Sequence, residues 1–135
     1  MKKFLVFALV LTLSISILIG SAEDAYAVAI RNNPGFAANT LAPTDDGSTV
    51  AVNIGFVIDF FNFVTGQLFV NNNGNITFDS PLADFTPFDL TSTNRQIIAP
   101  FFADVDTRFA GNPVTYGQDL VNGLPAFGAS WIMVD

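Results

Sequence analysis

Between Val50 and Phe60 the chain alternates apolar and polar side chains, and a period of two belongs to a half-buried β-strand. Val50, Val52, Ile54, Phe56, Ile58 and Phe60 fall on one side. Ala51, Asn53, Gly55 and Asp59 fall on the other, with Val57 the exception. Thr44-Asp45-Asp46-Gly47-Ser48 precedes this run as turn chemistry: acidic side chains that bond the local backbone, then a glycine free to take positive φ. Gln67 to Asn71 places Leu68 and Val70 inward, Asn72-Asn73-Gly74 turns the chain, and Asn75 to Phe78 returns with Ile76 and Phe78 inward. Asn-Gly between two alternating runs is a strong hairpin signal.

The remainder keeps that rhythm. Residues 79–94 form a loop holding Pro81 and Pro87, whose Phe85, Phe88 and Leu90 are expected to fold back as a packed lid over the sheet. Val114-Thr115-Tyr116 reads as a short strand, and Asn122-Gly123 as a second hairpin turn. Ala126 to Val134 reads as a closing strand with Phe127, Trp131 and Met133 on one side. Short strands separated by turns at intervals of about ten residues predict an all-β fold, an antiparallel sandwich or meander.

Ile97 to Arg108 begins as an apolar run and ends in two carboxylates, a hydroxyl and a guanidinium. Read as a core strand surfacing into a polar corner, it sets Asp104 and Asp106 on one side of the sheet, roughly 6.5 Å apart at Cα. Such a pair is costly to bury unless something cationic answers it, and Arg108 is the nearest candidate. The expected corner is therefore Asp104, Asp106, Thr107 and Arg108, bonding backbone amides and one another.

The chain opens with Met1-Lys2-Lys3, an apolar segment from Phe4 to Ile19, and Ala25-Tyr26-Ala27. Basic, apolar and Ala-x-Ala regions in that order predict a helical secretory signal peptide over residues 1–27, with Ala22 as an alternative cut. The rival is an uncleaved anchor, but the apolar segment is short for a span of about 20 residues. No later stretch could cross a membrane. The domain layout is then a leader at 1–27, an N-terminal segment at 28–44 and a β domain at 45–135. Cleavage removes two acids (Glu23, Asp24) and two bases (Lys2, Lys3), so the net charge stays at −7. Arg31, Arg95 and Arg108 are then the only basic side chains, which argues against nucleic acid and anionic lipid as partners. Cysteine and histidine are both absent, which removes Ser-His-Asp and Cys-His nucleophile systems and the usual zinc sets. A secreted domain without cysteine leans toward a bacterial origin.

Three blocks carry a resemblance: Asn71 to Phe78, then Ile98 to Arg108, then Ala126-Phe127 with Trp131. Their order and spacing resemble the nidogen-like extracellular (NIDO) domain from about Asp45 onward, and the middle block resembles the family's hallmark segment. The arrangement looks like secreted bacterial members of the family. The resemblance implies a non-catalytic module of extracellular matrix and cell-surface proteins, associated with cell–matrix adhesion. It assigns no catalytic residue and no cofactor. Family members continue with further strands after the Trp131 strand, so the expectation is a fragment whose last strand is an aggregation-prone edge.

Two other readings come from the residues. Asp104 and Asp106, with Asn112 or Asp119, could bind calcium through hard oxygen ligands at a strand-to-loop corner. The spacing lacks the Asp-x-Asp-x-Asp-Gly pattern of calcium loops, and Arg108 competes for the carboxylates. A glycoside hydrolase would need carboxyl groups flanking a bond from separate elements, roughly 5 to 9.5 Å apart. Two neighbours on one side of one strand share a face instead. Tyr116 and Trp131 could stack on sugar, although a single Trp in a strand is ordinarily core.

Overall fold

The computed structural model describes residues 31–134, and the signal peptide expected at 1–27 lies outside them. Residues from Asn32 onward form one compact unit. The reason is apolar: Phe36 and Leu41 are both buried, and Leu41 belongs to the central core cluster.

The described residues carry seven strands, a single 3-10 turn over Pro34–Ala37 and no α-helix. The strands are β1 (Asn39–Thr40), β2 (Val52–Phe60), β3 (Phe63–Asn71), β4 (Asn75–Thr77), β5 (Ile97–Ile98), β6 (Thr115–Val121) and β7 (Leu124–Ser130). They form two antiparallel sheets, ordered β1-β6-β7 and β2-β3-β4-β5. Ile54, Leu68, Val70, Phe78, Leu41 and Val114 form the buried core; Tyr116, Phe127 and Ala129 of the β1-β6-β7 sheet pack on it, as does Trp131 just after β7. Among the described residues no helix is long and apolar enough to cross a membrane.

Both Asn-Gly turns form as the sequence predicts. Asn122 and Gly123 take positive φ (53° and 79°) between Val121 and Leu124, a two-residue turn whose twist matches the strands. Gly74 (φ 76°) closes the β3–β4 turn between Asn71 and Asn75. A third turn carries no glycine. Phe61 and Asn62, at φ 52° and 68°, join β2 to a β3 that begins at Phe63, four residues before the run read from sequence.

The β2 alternation survives only in part. The ladder to β3 slips between Asn53 and Ile58, and Gly55 sits at φ 87° within the slip. A bulge of this kind re-aims the residues beside it. Ile54 is buried, but Phe56 and Val57 are exposed, and Val50 lies outside the strand facing solvent.

Three further expectations are corrected. The loop at 79–94 is not a lid: Phe85 and Leu90 are exposed, and Leu82 is the side chain that inserts. Phe88 instead meets Phe102 edge-on, with ring centroids 5.1 Å apart. The closing strand ends at Ser130, and Met133 is 76% exposed at φ 52°, so it does not share a buried side with Phe127 and Trp131. Within Ile97 to Arg108 only Ile97–Ile98 is strand. Pro100 has no N–H for a ladder, and the residues after it bond the β3–β4 turn rather than a neighbouring strand.

Candidate functional site

Four asparagines in a five-residue run would ordinarily mark an exposed turn. Here Asn71, Asn72, Asn73 and Asn75 are all at most 1% exposed, with Thr77 fully buried beside them. Buried amides must be paired, and these pair with one another and with two loops. Asn71 Nδ2 donates to Asn75 Oδ1 (2.7 Å) and Thr77 Oγ1 (3.0 Å), while its Oδ1 accepts from Ser48 Oγ (2.7 Å) and Leu82 N (3.1 Å). Asn72 Nδ2 faces the carbonyls of Thr44, Asp45 and Val105. Asn73 Oδ1 accepts from Val105 N (3.0 Å), and its Nδ2 donates to Asp46 Oδ1 (2.9 Å) and Asp84 O (3.3 Å). Trp131 Nε1 donates to the carbonyls of Asn71 (3.2 Å) and Asn72 (3.0 Å).

This hub holds the segment after Pro100. Phe101 N and Ala103 N donate to Gly74 O and Asn73 O, and Val105 is buried beneath them. Thr107, also buried, donates from Oγ1 to Thr44 O (2.9 Å) and accepts from Thr44 N (2.9 Å). The loops at 44–49 and 101–108 thus lie together over one asparagine turn.

Asp104 and Asp106 are separated by that geometry. Asp106 is clasped by Arg108, with Nε to Oδ1 at 2.8 Å and Nη2 to Oδ2 at 2.7 Å, and its Oδ1 also accepts from Arg108 N. Arg108 Nη2 reaches Asp45 Oδ2 as well, at 2.8 Å. Among the described residues Asp104 has no such partner. It is exposed and groups instead with Asp45 and Asp46, one carboxylate oxygen of each lying within 4.8 Å of the others. Of the four residues named from sequence, Asp106 and Arg108 pair, Thr107 turns to Thr44 and Asn72, and Asp104 lies beside Asp45 and Asp46. Asn112 donates to Ile132 O, and Asp119 accepts from Gly35 N and Leu120 N on β6, so neither joins the carboxylate trio.

The side-chain hydrogen bond from Arg108 holds the Asp106 carboxyl below its ordinary value of 3.8 and pushes the guanidinium upward. A carboxyl depressed in the folded state stabilises fully above 3.8, and that contribution is lost as pH falls through the folded value. Asp106→Asn should therefore flatten the fall of the melting midpoint below pH 3.8 relative to wild type. Parallel curves in a pH series of thermal melts would refute this.

Sequence reasoning missed the asparagine hub and the part played by Asp45 and Asp46. The available signal was redundancy, since one turn asparagine suffices where the chain carries four.

Residues 66–132 match the family model of the nidogen-like domain. Among curated relatives, the chain is 31% identical to alpha-tectorin of Gallus gallus over 106 residues, covering 67% of this chain and 5% of that protein. It is 39% identical to alpha-tectorin of Mus musculus over 69 residues, covering 50% of this chain and 3% of the relative. It is 30% identical to nidogen-2 of Mus musculus over 89 residues, covering 65% and 6% respectively. The chain thus spans only a small part of the length of each relative. No solved structure matches it significantly.

Proposed function

We propose that this chain, through its nidogen-like domain, is a non-catalytic extracellular interaction module acting in cell–matrix adhesion. The observation that carries this reading is the family match over residues 66–132, which takes in the asparagine turn, the loop it holds and the β6–β7 hairpin. Physical chemistry supports it. The densest group of polar side chains, Asn71 to Thr77, is spent on holding loops in shape, with donors and acceptors turned inward. A secretory leader at residues 1–27 places the module outside the cell, as a secreted or surface-attached protein of bacterial type. Its net charge of −7 directs it toward a protein partner, a matrix component or another secreted protein, rather than nucleic acid. Saturable binding of the labelled chain to decellularised matrix, competed by unlabelled chain, is the expected result. Binding that stays linear with concentration would sink the reading.

A second reading rests on the carboxylate trio. Asp45, Asp46 and Asp104 offer three hard oxygens within 4.8 Å, the start of a calcium shell that water and carbonyls would complete. Asp106, named from sequence, has both carboxylate oxygens bonded by Arg108 and is not one of the three, whereas Asp45 gives that guanidinium only one of its oxygens. Millimolar calcium should then raise the melting midpoint by about 4 °C or more, as selective binding to the folded state does. Asp104→Asn should abolish the rise. An equal response in both proteins would refute the assignment.

A further inference from the structure

Asn75-Ile76-Thr77 is the only Asn-x-Ser/Thr stretch in the chain. In a secreted protein such a stretch ordinarily marks an exposed loop, where an oligosaccharyl transferase joins a glycan to the asparagine amide. Here it makes up the whole of β4, an interior strand with β3 on one edge and β5 on the other. Asn75 lies opposite Asn71, Ile76 opposite both Val70 and Ile98, and Thr77 opposite both Phe69 and Ile97. Asn75 and Thr77 are each 0% exposed. The one acceptor sequence is therefore the most enclosed strand of its sheet.

Both side chains that define the acceptor are committed. Asn75 Nδ2 donates to Asn73 O (3.2 Å), and its Oδ1 accepts from Asn71 Nδ2 (2.7 Å). Thr77 Oγ1 accepts from Asn71 Nδ2 (3.0 Å) and donates to Ser80 O (2.6 Å). Drawing Asn75 out of this network parts β4 from both neighbouring strands. The closure is completed from far along the chain: Ile97–Ile98 supply β5, and Trp131 Nε1 donates to the carbonyls of Asn71 and Asn72. A chain is made from its N-terminus, so the acceptor is complete before the segments that seal it. At about 5–20 residues per second, the interval between Thr77 and Trp131 is roughly 3–11 s.

We propose that Asn75 is an N-glycan acceptor gated by folding, open while β3, β4 and β5 are unassembled and closed in the native chain. The donor is an oligosaccharide carried on a lipid diphosphate. Asn75 Nδ2 bonds to the anomeric carbon of the sugar as the bond from that carbon to the diphosphate oxygen breaks. The lipid diphosphate leaves, and Nδ2 gives up one of its two protons to a base of the transferase. The modified amide keeps one N–H, but the sugar needs the space that Asn71, Asn73 and the flanking strands fill in the fold. A chain that takes the glycan cannot close this sheet around it. Modification is thus one-way, marking chains that meet the transferase before they fold. This goes beyond the matrix-binding reading and does not depend on it.

The test uses the full chain and two variants outside the acceptor. Trp131→Ala removes the late seal on the Asn71 and Asn72 carbonyls, and Val114→Ala weakens the core at a residue that is 0% exposed. Each purified protein is offered to a detergent-solubilised oligosaccharyl transferase with its lipid-linked oligosaccharide, and glycan at Asn75 is read by peptide mapping over time. Wild type should be modified slowest. The rate in each variant should follow its unfolded population from urea unfolding, rising about tenfold for every 1.4 kcal/mol of stability lost. Equal rates in all three proteins would show that local opening exposes Asn75 in the folded chain, and would overturn the proposal. Absence of glycan at Asn75 from all three would overturn it too.

Discussion

Asn72→Ala is expected to lower stability by about 3–4 kcal/mol, because it strips the donor from more than one buried carbonyl at roughly 1–3 kcal/mol each. The carbonyls of Thr44, Asp45 and Val105 all face its amide, and Asn72 itself is 1% exposed, so water cannot replace it without opening the hub. Thr107 Oγ1 would also lose its contact with Asn72 Oδ1 (3.3 Å). Asn72→Asp separates shape from chemistry. It keeps the volume but turns an acceptor toward carbonyl oxygens, and it should destabilise at least as much as Asn72→Ala. Urea unfolding of the two variants is the measurement. A loss below about 1 kcal/mol in either would mean that the loops at 44–49 and 101–108 are held by something other than this amide.

The second large effect belongs to Gly74. A Cβ at this position would fall on the backbone carbonyl of Phe101, and the residue is at φ 76°, where side chains are strained. Backbone cannot swing aside as a flexible side chain can, since Phe101 N is itself bonded to Gly74 O (3.2 Å). Gly74→Ala should therefore cost more than about 4 kcal/mol, in the range reserved for substitutions that force the main chain apart. Gly123→Ala is the matched control. Its φ of 79° is similar, but no atom lies within 4 Å of the added carbon. It should cost about 1–2 kcal/mol, the strain of the left-handed conformation alone. Similar losses for the two variants, read from denaturation midpoints, would show that close approach to Phe101 is not what requires glycine.

The contrast between these turns marks what could be read from sequence. Asn-Gly between alternating runs located both hairpins because φ > 0 is a local demand met by local residues. Leu68, Val70 and Phe78 were placed inward by parity, and all three are buried. The Phe61-Asn62 turn was hidden because neither residue is glycine and the flanking phenylalanines read as strand. Ile97 to Arg108 failed for a different reason. Its apolar run looks like a buried strand, but its backbone partners are Asn73, Gly74 and Thr44, which lie distant in sequence. Side-chain amides that stand in for a ladder leave no periodicity. The same substitution explains the site: Asp104 was paired with Asp106 by a strand parity that does not exist there, and its real neighbours are Asp45 and Asp46.

Burial of the asparagine turn also bears on how this protein ages. Asn-Gly is the peptide sequence that deamidates most readily, because the glycine nitrogen attacks the asparagine side-chain carbonyl carbon and expels ammonia, closing a succinimide that water opens to aspartate or isoaspartate. At Asn73-Gly74 that chemistry is blocked. Gly74 N is committed to Asn72 O (2.9 Å), Asn73 Oδ1 is held by Val105 N, and a planar five-membered ring would have to form where the side chain is 1% exposed. Asn122-Gly123 has the same sequence on an exposed tip, with nothing near Gly123. Peptide mapping of stored protein should therefore find isoaspartate at Asn122 well before Asn73. One dipeptide occurs twice in this chain, and its chemical lifetime is set by the fold around each copy.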